Sequence, residues 1–221
     1  SKPPRKTRAP FKHTGRPRAA FFIANFLTDF QEDILIEDIT PPPIEPMTLE
    51  DAKLFLRLDH DDEDALIIDL IQSAREQVER LCRHTLIERT QRITFTPPLQ
   101  RTLYLNLAPI KSVTAVVMHL SDGREETVPL ETLKINLRAM PVSVQRQTLA
   151  VGSWHSRSDV DAITVDVVAG YGDRPDDIPM TLRQAMMLLF GQGYEHRTVT
   201  DMPGIQMMVD ALIMPYRSLK L

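Results

Sequence analysis

The chain has 221 residues, long enough for one hydrophobic core with an appendage. With 43% hydrophobic and 25% charged residues it has the make-up of a globular protein, and no apolar run approaches the roughly 20 residues of a membrane-spanning helix. Its single cysteine, Cys82, excludes an internal disulfide and any cysteine-rich zinc site. The formal charge of −4 hides a division. Lys2, Arg5, Lys6, Arg8, Lys12, Arg16 and Arg18 stand in the first 20 residues with no acid among them. Removing these seven from the 26 basic residues leaves 19 against 30 acids, a formal −11 for everything downstream. A cationic arm on an acidic body points to different partners for the two parts.

The arm also carries Pro3, Pro4, Pro10 and Pro17, so it cannot bury enough apolar surface to offset its ordering entropy and is expected to order only on a partner. Residues 19–38 follow, with Phe22, Phe26, Phe30 and Ile34 at steps of four, the stripe of an amphipathic helix. Pro41, Pro42, Pro43 and Pro46 read as a stiff linker and a domain boundary, giving an N-terminal region of 1–46 and a main domain of 47–217. Thr48, followed by Glu50 and Asp51, suits a helix N-terminus, and the predicted helix over 48–58 turns Ala52, Phe55 and Leu56 inward. The next helix, over 61–84, has the clearest pattern. Ile67, Ile71, Ala74, Val78 and Leu81 step by four and three, with Cys82 beside them as a small buried hydrophobe. Acids open it and Arg80 and Arg83 close it, as the helix dipole favours.

From about residue 87 to 170 the period changes to two. Arg92-Ile-Thr-Phe-Thr, Leu103-Tyr-Leu-Asn-Leu and residues 113–120, 133–137 and 163–168 read as strands, with Ser121-Asp122-Gly123 as a hairpin turn. Residues 142–161, which include Trp154, read as irregular loop. Pro179 opens a helix over 179–196 with Leu182, Ala185, Met186, Leu189 and Phe190 on its apolar face. A last short helix over 205–214 follows the break at Asp201-Met-Pro-Gly. The predicted fold class is therefore α+β: a small helical bundle with a β-rich insertion between the second and third main helices, and an extended N-terminal arm.

Motifs for chemistry are weak throughout. The acid run 59–64 lacks the glycine and terminal glutamate of a calcium loop, and helix capping explains it. Gly170-Tyr-Gly172 lies between strand and helix, but Arg174-Pro175 stands where a phosphate loop needs its third glycine. The six histidines form no i, i+4 pair, and no nucleophile elbow occurs. No catalytic residue, metal or cofactor is expected. The arm supports two readings: its seven cations contact nucleic-acid phosphates, or they pair with acidic protein surfaces.

The segment Ile39-Thr-Pro-Pro-Pro-Ile-Glu-Pro-Met-Thr-Leu-Glu-Asp-Ala-Lys-Leu-Phe-Leu-Arg-Leu-Asp59, continuing His60-Asp-Asp-Glu-Asp-Ala-Leu-Ile, resembles the opening of the bacteriophage head–tail connector (adaptor) family. Further blocks follow in order: Ala74-Arg-Glu-Gln-Val-Glu-Arg-Leu, Val168-Ala-Gly-Tyr-Gly-Asp, Tyr194-Glu-His-Arg and Val209-Asp-Ala-Leu-Ile-Met-Pro-Tyr-Arg217. The resemblance spans about residues 39–217 and implies the fold above. It also implies a structural virion protein whose copies form a twelve-membered ring between portal and tail or stopper protein, around passing double-stranded DNA. Such a protein assembles in the bacterial cytoplasm and sits in the neck of a phage or a phage-derived gene transfer particle, with no membrane partner. Residues 205–217 match the closing segment, which in such rings reaches the portal. Ile205, Met208, Leu212, Tyr216 and Arg217, with Phe22, Phe26 and Phe30 from the first helix, are thus the expected portal or subunit contacts. Residues 1–38 depart from the family pattern. They open the alternative of a DNA-binding packaging factor that works through the basic arm.

Overall fold

Two hydrophobic cores, one β and one helical, organise the chain. The computed structural model describes residues 34–147, 154, 157–195 and 203–217, all within the unit Asp33–Leu221. The described elements are, in chain order, β1 (Leu35–Asp38), α1 (Leu49–Leu56), α2 (Asp64–Cys82), β2 (Arg89–Phe95), β3 (Thr102–Leu105), β4 (Ile110–Leu120), β5 (Glu125–Thr127), β6 (Leu133–Asn136), β7 (Val142–Arg146), β8 (Val160–Ala169), α3 (Met180–Glu195) and α4 (Pro203–Ile213). Helices and sheets are both present, so the chain is α+β. Strands β2 to β8 fall between α2 and α3 in the sequence.

The strands form two antiparallel sheets, one of order β1-β2-β8-β4-β5 and one of order β3-β7-β6. Alternation decides which side chains point inward. Along β2 burial switches at every residue, so Ile93 and Phe95 face the core while Arg92 and Thr94 face out. Ile163, Val165 and Val167 on β8, Val116 and Met118 on β4, and Leu103, Leu105 and Val144 from the smaller sheet share this core. Trp154 is fully buried with them and satisfies its indole N–H by donating to the Gln100 carbonyl at 2.9 Å. Outside, Arg92 and Asp166 stand opposite each other on β2 and β8 and bond side to side at 2.7 and 2.8 Å.

The helical core gathers Ile67, Ile71, Val78, Leu182, Met186, Phe190, Val209 and Ile213 from α2, α3 and α4. Thr48 caps α1, its hydroxyl accepting from the Asp51 N–H, and Arg57 ends the helix in the left-handed conformation with φ 59°. The two cores meet where β8 runs out. Gly170 has φ +131°, and a Cβ there would stand 2.4 Å from the Glu88 Cα, so only glycine lets β8 turn this close against residues 87 and 88.

Three sequence expectations need correction. Residues 35–38 are not helix but β1, because β2 offers a row of backbone partners that a local helical spacing cannot foresee. The helix stripe at Phe22, Phe26 and Phe30, and the seven arm cations, lie outside the described residues. Residues 142–146 are not loop but β7, the central strand of the smaller sheet, with Val142 and Val144 buried. The acid run is not the first turn of α2: Asp61 and Asp62 precede the helix, and Asp61 pairs with Lys53 instead. The segment that carries the prolines at 41–46 is tied to the rest of the fold, since Glu45 pairs with Arg75 and Met47 is buried in the helical core.

Candidate interaction surfaces

The apolar stripe of α4 steps through Val209 and Ile213, both buried, with Ile205 and Leu212 partly buried beside them. That leaves the opposite face outward. Met207, Met208 and Met214 are 72%, 53% and 70% exposed, and no charged residue separates 207 from 208. Of the expected contacts, Met208 thus faces out, while Ile205 and Leu212 are largely used by the chain's own core. Tyr216 is half-buried, its hydroxyl 2.9 Å from the Thr181 hydroxyl, and Arg217 donates to Asp210 at 2.7 Å. Sequence reasoning missed Met207 and Met214. Their signal was present, because Met207, Ala211 and Met214 repeat at steps of four and three on the face away from Val209.

A second feature is a buried ionic chain. Arg75 and Arg89 are each almost fully enclosed, and both bond to Glu79. Arg75 also donates to Glu45 at 2.8 Å and Arg89 to Asp38 at 2.8 Å. The Leu86 N–H and the Gln91 amide complete the set on Glu79 and Asp38. Burial draws the Arg89 guanidinium down, but the bonds to Glu79 and Asp38 outweigh it and hold the group above its ordinary value. The chain ties the segment from β1 to Met47 onto α2 and β2. Sequence reading gave none of these residues an ionic role, and Arg75 and Glu79 appeared only within a block of family resemblance.

His84 makes a third cluster, just beyond α2. Its Nδ1 is 2.7 Å from the Tyr171 hydroxyl, its ring stacks on Tyr171, and Tyr216 meets it edge-on with ring centres 5.6 Å apart. Burial pushes His84 below its ordinary value, only partly countered by a hydrogen bond to the Tyr216 backbone. Burial likewise raises the Tyr171 hydroxyl, and it pushes the Cys82 thiol up to about 11, which makes that thiol an inert core group.

An apolar cleft of about 100 Å³ lies beneath the β6–β7 turn, lined by Leu105, Leu107, Pro109, Ile110, Leu137 and Met140. It presents no polar side chain, so it can seat an apolar group but cannot orient or polarise a substrate. Among the described residues no three His, Cys, Asp or Glu side chains gather as a metal site, and no helix is long and apolar enough to cross a membrane.

Comparison with known proteins agrees with this geometry. Residues 46–138 match a family model described as phage gp6-like head-tail connector protein. No curated protein matches the chain. Among the solved structures that share its fold are three that each match over 85% of this chain and 97% of their own. A chain from the neck of an empty GTA particle computed with C6 symmetry has a TM-score of 0.67 at 23% identity. A chain from the virion of a native gene transfer agent particle has 0.64 at 24%, and one from the neck of a native GTA particle computed with C12 symmetry has 0.60 at 22%. The matched family is a structural one and not a family of enzymes. Residues 46–138, which carry α1, α2 and the strands β2 to β6, thus resemble the phage gp6-like head-tail connectors, and the chain has a fold also found in gene transfer agent particles.

Proposed function

We propose that the chain is a head–tail connector subunit in the neck of a phage-like particle, assembling as a ring, of twelve copies by the resemblance, between portal and tail or stopper protein. The observation that carries this reading is the methionine face of α4 and the turn that follows it, Met207, Met208 and Met214. It lies in the closing segment, is exposed, and has no use within the described chain. Methionine suits such a surface, because its unbranched, polarisable side chain adapts to a partner. The partner we assign to it is the portal, and the neighbouring copies take the remaining surfaces. The acidic downstream sequence, a formal −11 after residue 20, gives the channel a wall that repels DNA phosphates and lets the duplex slide.

Electron microscopy of the purified protein mixed with its portal tests the proposal. An annulus stacked on the portal is expected. A monomer that ignores the portal at micromolar concentration would sink it. The basic arm keeps a second reading alive, that of a DNA-binding packaging factor. If all seven cations meet phosphates, log K for DNA falls against log salt with a slope of about −6. A slope near zero, with assembly lost on deleting residues 1–33, assigns the arm to protein contact.

A further inference from the structure

We propose that each copy docks the corner between α1 and α2 onto the smaller sheet of the next copy, with Leu54 entering the cleft beneath the β6–β7 turn. The inference rests on the connector reading and names the two surfaces that close the ring. Leu54 is 79% exposed and Met140, at the lip of the cleft, 76%, and neither has a part in the chain's own cores. The corner is built by ion pairs. Lys53 pairs with Asp61 and Asp64 at 2.5 Å, which draws the last turn of α1 against the first turn of α2. Leu54 and Phe55 from α1 and Leu66 and Ile68 from α2 are therefore exposed at one place. Around them, residues 50–69 hold eight acids against Lys53 and Arg57, and Glu50, Asp59, Asp62 and Asp69 are exposed.

The smaller sheet carries the opposite charge. Its three strands, the β6–β7 turn and the residue before β3 hold Arg101, Lys134, Arg138 and Arg146 and no acid. Strand pairing sets Tyr104 and Lys134 on the face turned away from Leu103 and Val144. The turn adds Leu137 and Met140 at the cleft, with the exposed Arg138 between them in sequence. At about 100 Å³ the cleft falls short of the roughly 300 Å³ of a small-molecule site, but it admits one aliphatic side chain. Each surface thus combines exposed apolar side chains with charge of one sign, as protein interfaces do. Each repels its own kind and attracts the other. Two complementary surfaces on one chain make a head-to-tail contact, which closes into a ring, whereas a self-matching patch stops at a dimer. This selects a second copy over nucleic acid. Phosphates match Arg101, Lys134 and Arg138 but leave Leu137, Met140 and the cleft uncovered.

Cross-linking of the full chain assembled on its portal tests the contact. Leu54→Cys and Met140→Cys in one chain should give a ladder of covalent multimers with a short bis-maleimide, while either substitution alone gives monomer. The buried Cys82 stays out of the reaction. Leu54→Glu and Met140→Glu both fall at exposed positions. Each should keep the melting temperature within about 2 °C and weaken self-association at least tenfold. Mixed together, the two variants should form dimers that grow no further, because one intact sheet meets one intact corner. A ring that forms without the ladder, or with both glutamates in place, overturns this interface and leaves the connector reading standing. A parent chain that forms no annulus on the portal overturns the connector reading, and this inference with it. Duplex DNA that binds the parent and is released by Arg138→Glu, with the ring unaffected, assigns the sheet to nucleic acid and overturns the contact between copies.

Discussion

At the scale of single residues, the two buried arginines fix the most. Charges this enclosed are expensive unless every bonding position is filled, and Glu79 fills positions on both. Glu79→Gln takes the cluster from three carboxylates to two against the two guanidiniums and withdraws from both the one charged partner they share. Urea titration should show a loss of about 3–5 kcal/mol. Replacing Glu45 should cost much less, because its carboxylate is partly solvated and Arg75 retains Glu79. Trp154 is a second fixed point: Trp154→Ala removes the largest fully buried side chain and should cost about 3–5 kcal/mol by the same measurement. Neither importance was legible beforehand. A tryptophan in a stretch without periodicity, and an arginine inside a helical stripe, receive their roles from residues 54 and 30 positions away, Gln100 and Glu45.

Among elements, those whose stability is local were readable and those made by pairing were not. The stripe Ile67, Ile71, Ala74, Val78 placed α2, and the cap at Thr48 placed the start of α1 to within a residue. Thr48→Ala should therefore cost about 1 kcal/mol, visible as a lower midpoint in urea with an unchanged slope. β1 and β7 escaped because each is short and made by pairing: β1 against residues 91–94, β7 against the distant β3 as well as the nearby β6. β1 also changes how the arm should be tested. A chain that starts at residue 34 keeps β1, whereas one that starts at 39 loses that edge strand and strips Arg89 and Gln91 of Asp38. The second should unfold at lower urea than the first, and an assembly defect seen only in the second would report on the sheet and not on the arm.

On the scale of the whole molecule, most large apolar side chains fill two cores, and Met207, Met208 and Met214 are among those left outward. A carboxylate placed on that face should separate folding from assembly. Met207→Glu with Met214→Glu should shift stability by no more than about 0.5 kcal/mol per site while weakening portal binding at least tenfold, as measured by co-sedimentation. The sequence blocks pointed to this segment, but which of its residues face outward was settled only when Val209 and Ile213 took the inward positions.

One consequence of the Asp38–Arg89–Glu79–Arg75–Glu45 chain is mechanical. Tension entering at residue 34 meets the β1 ladder along its length and then two ionic rivets before it reaches α1. The prolines at 41–43 are thereby relieved of load. Pulling on whatever the arm has grasped would drag the sheet and α2 as one piece rather than stretch the connecting peptide.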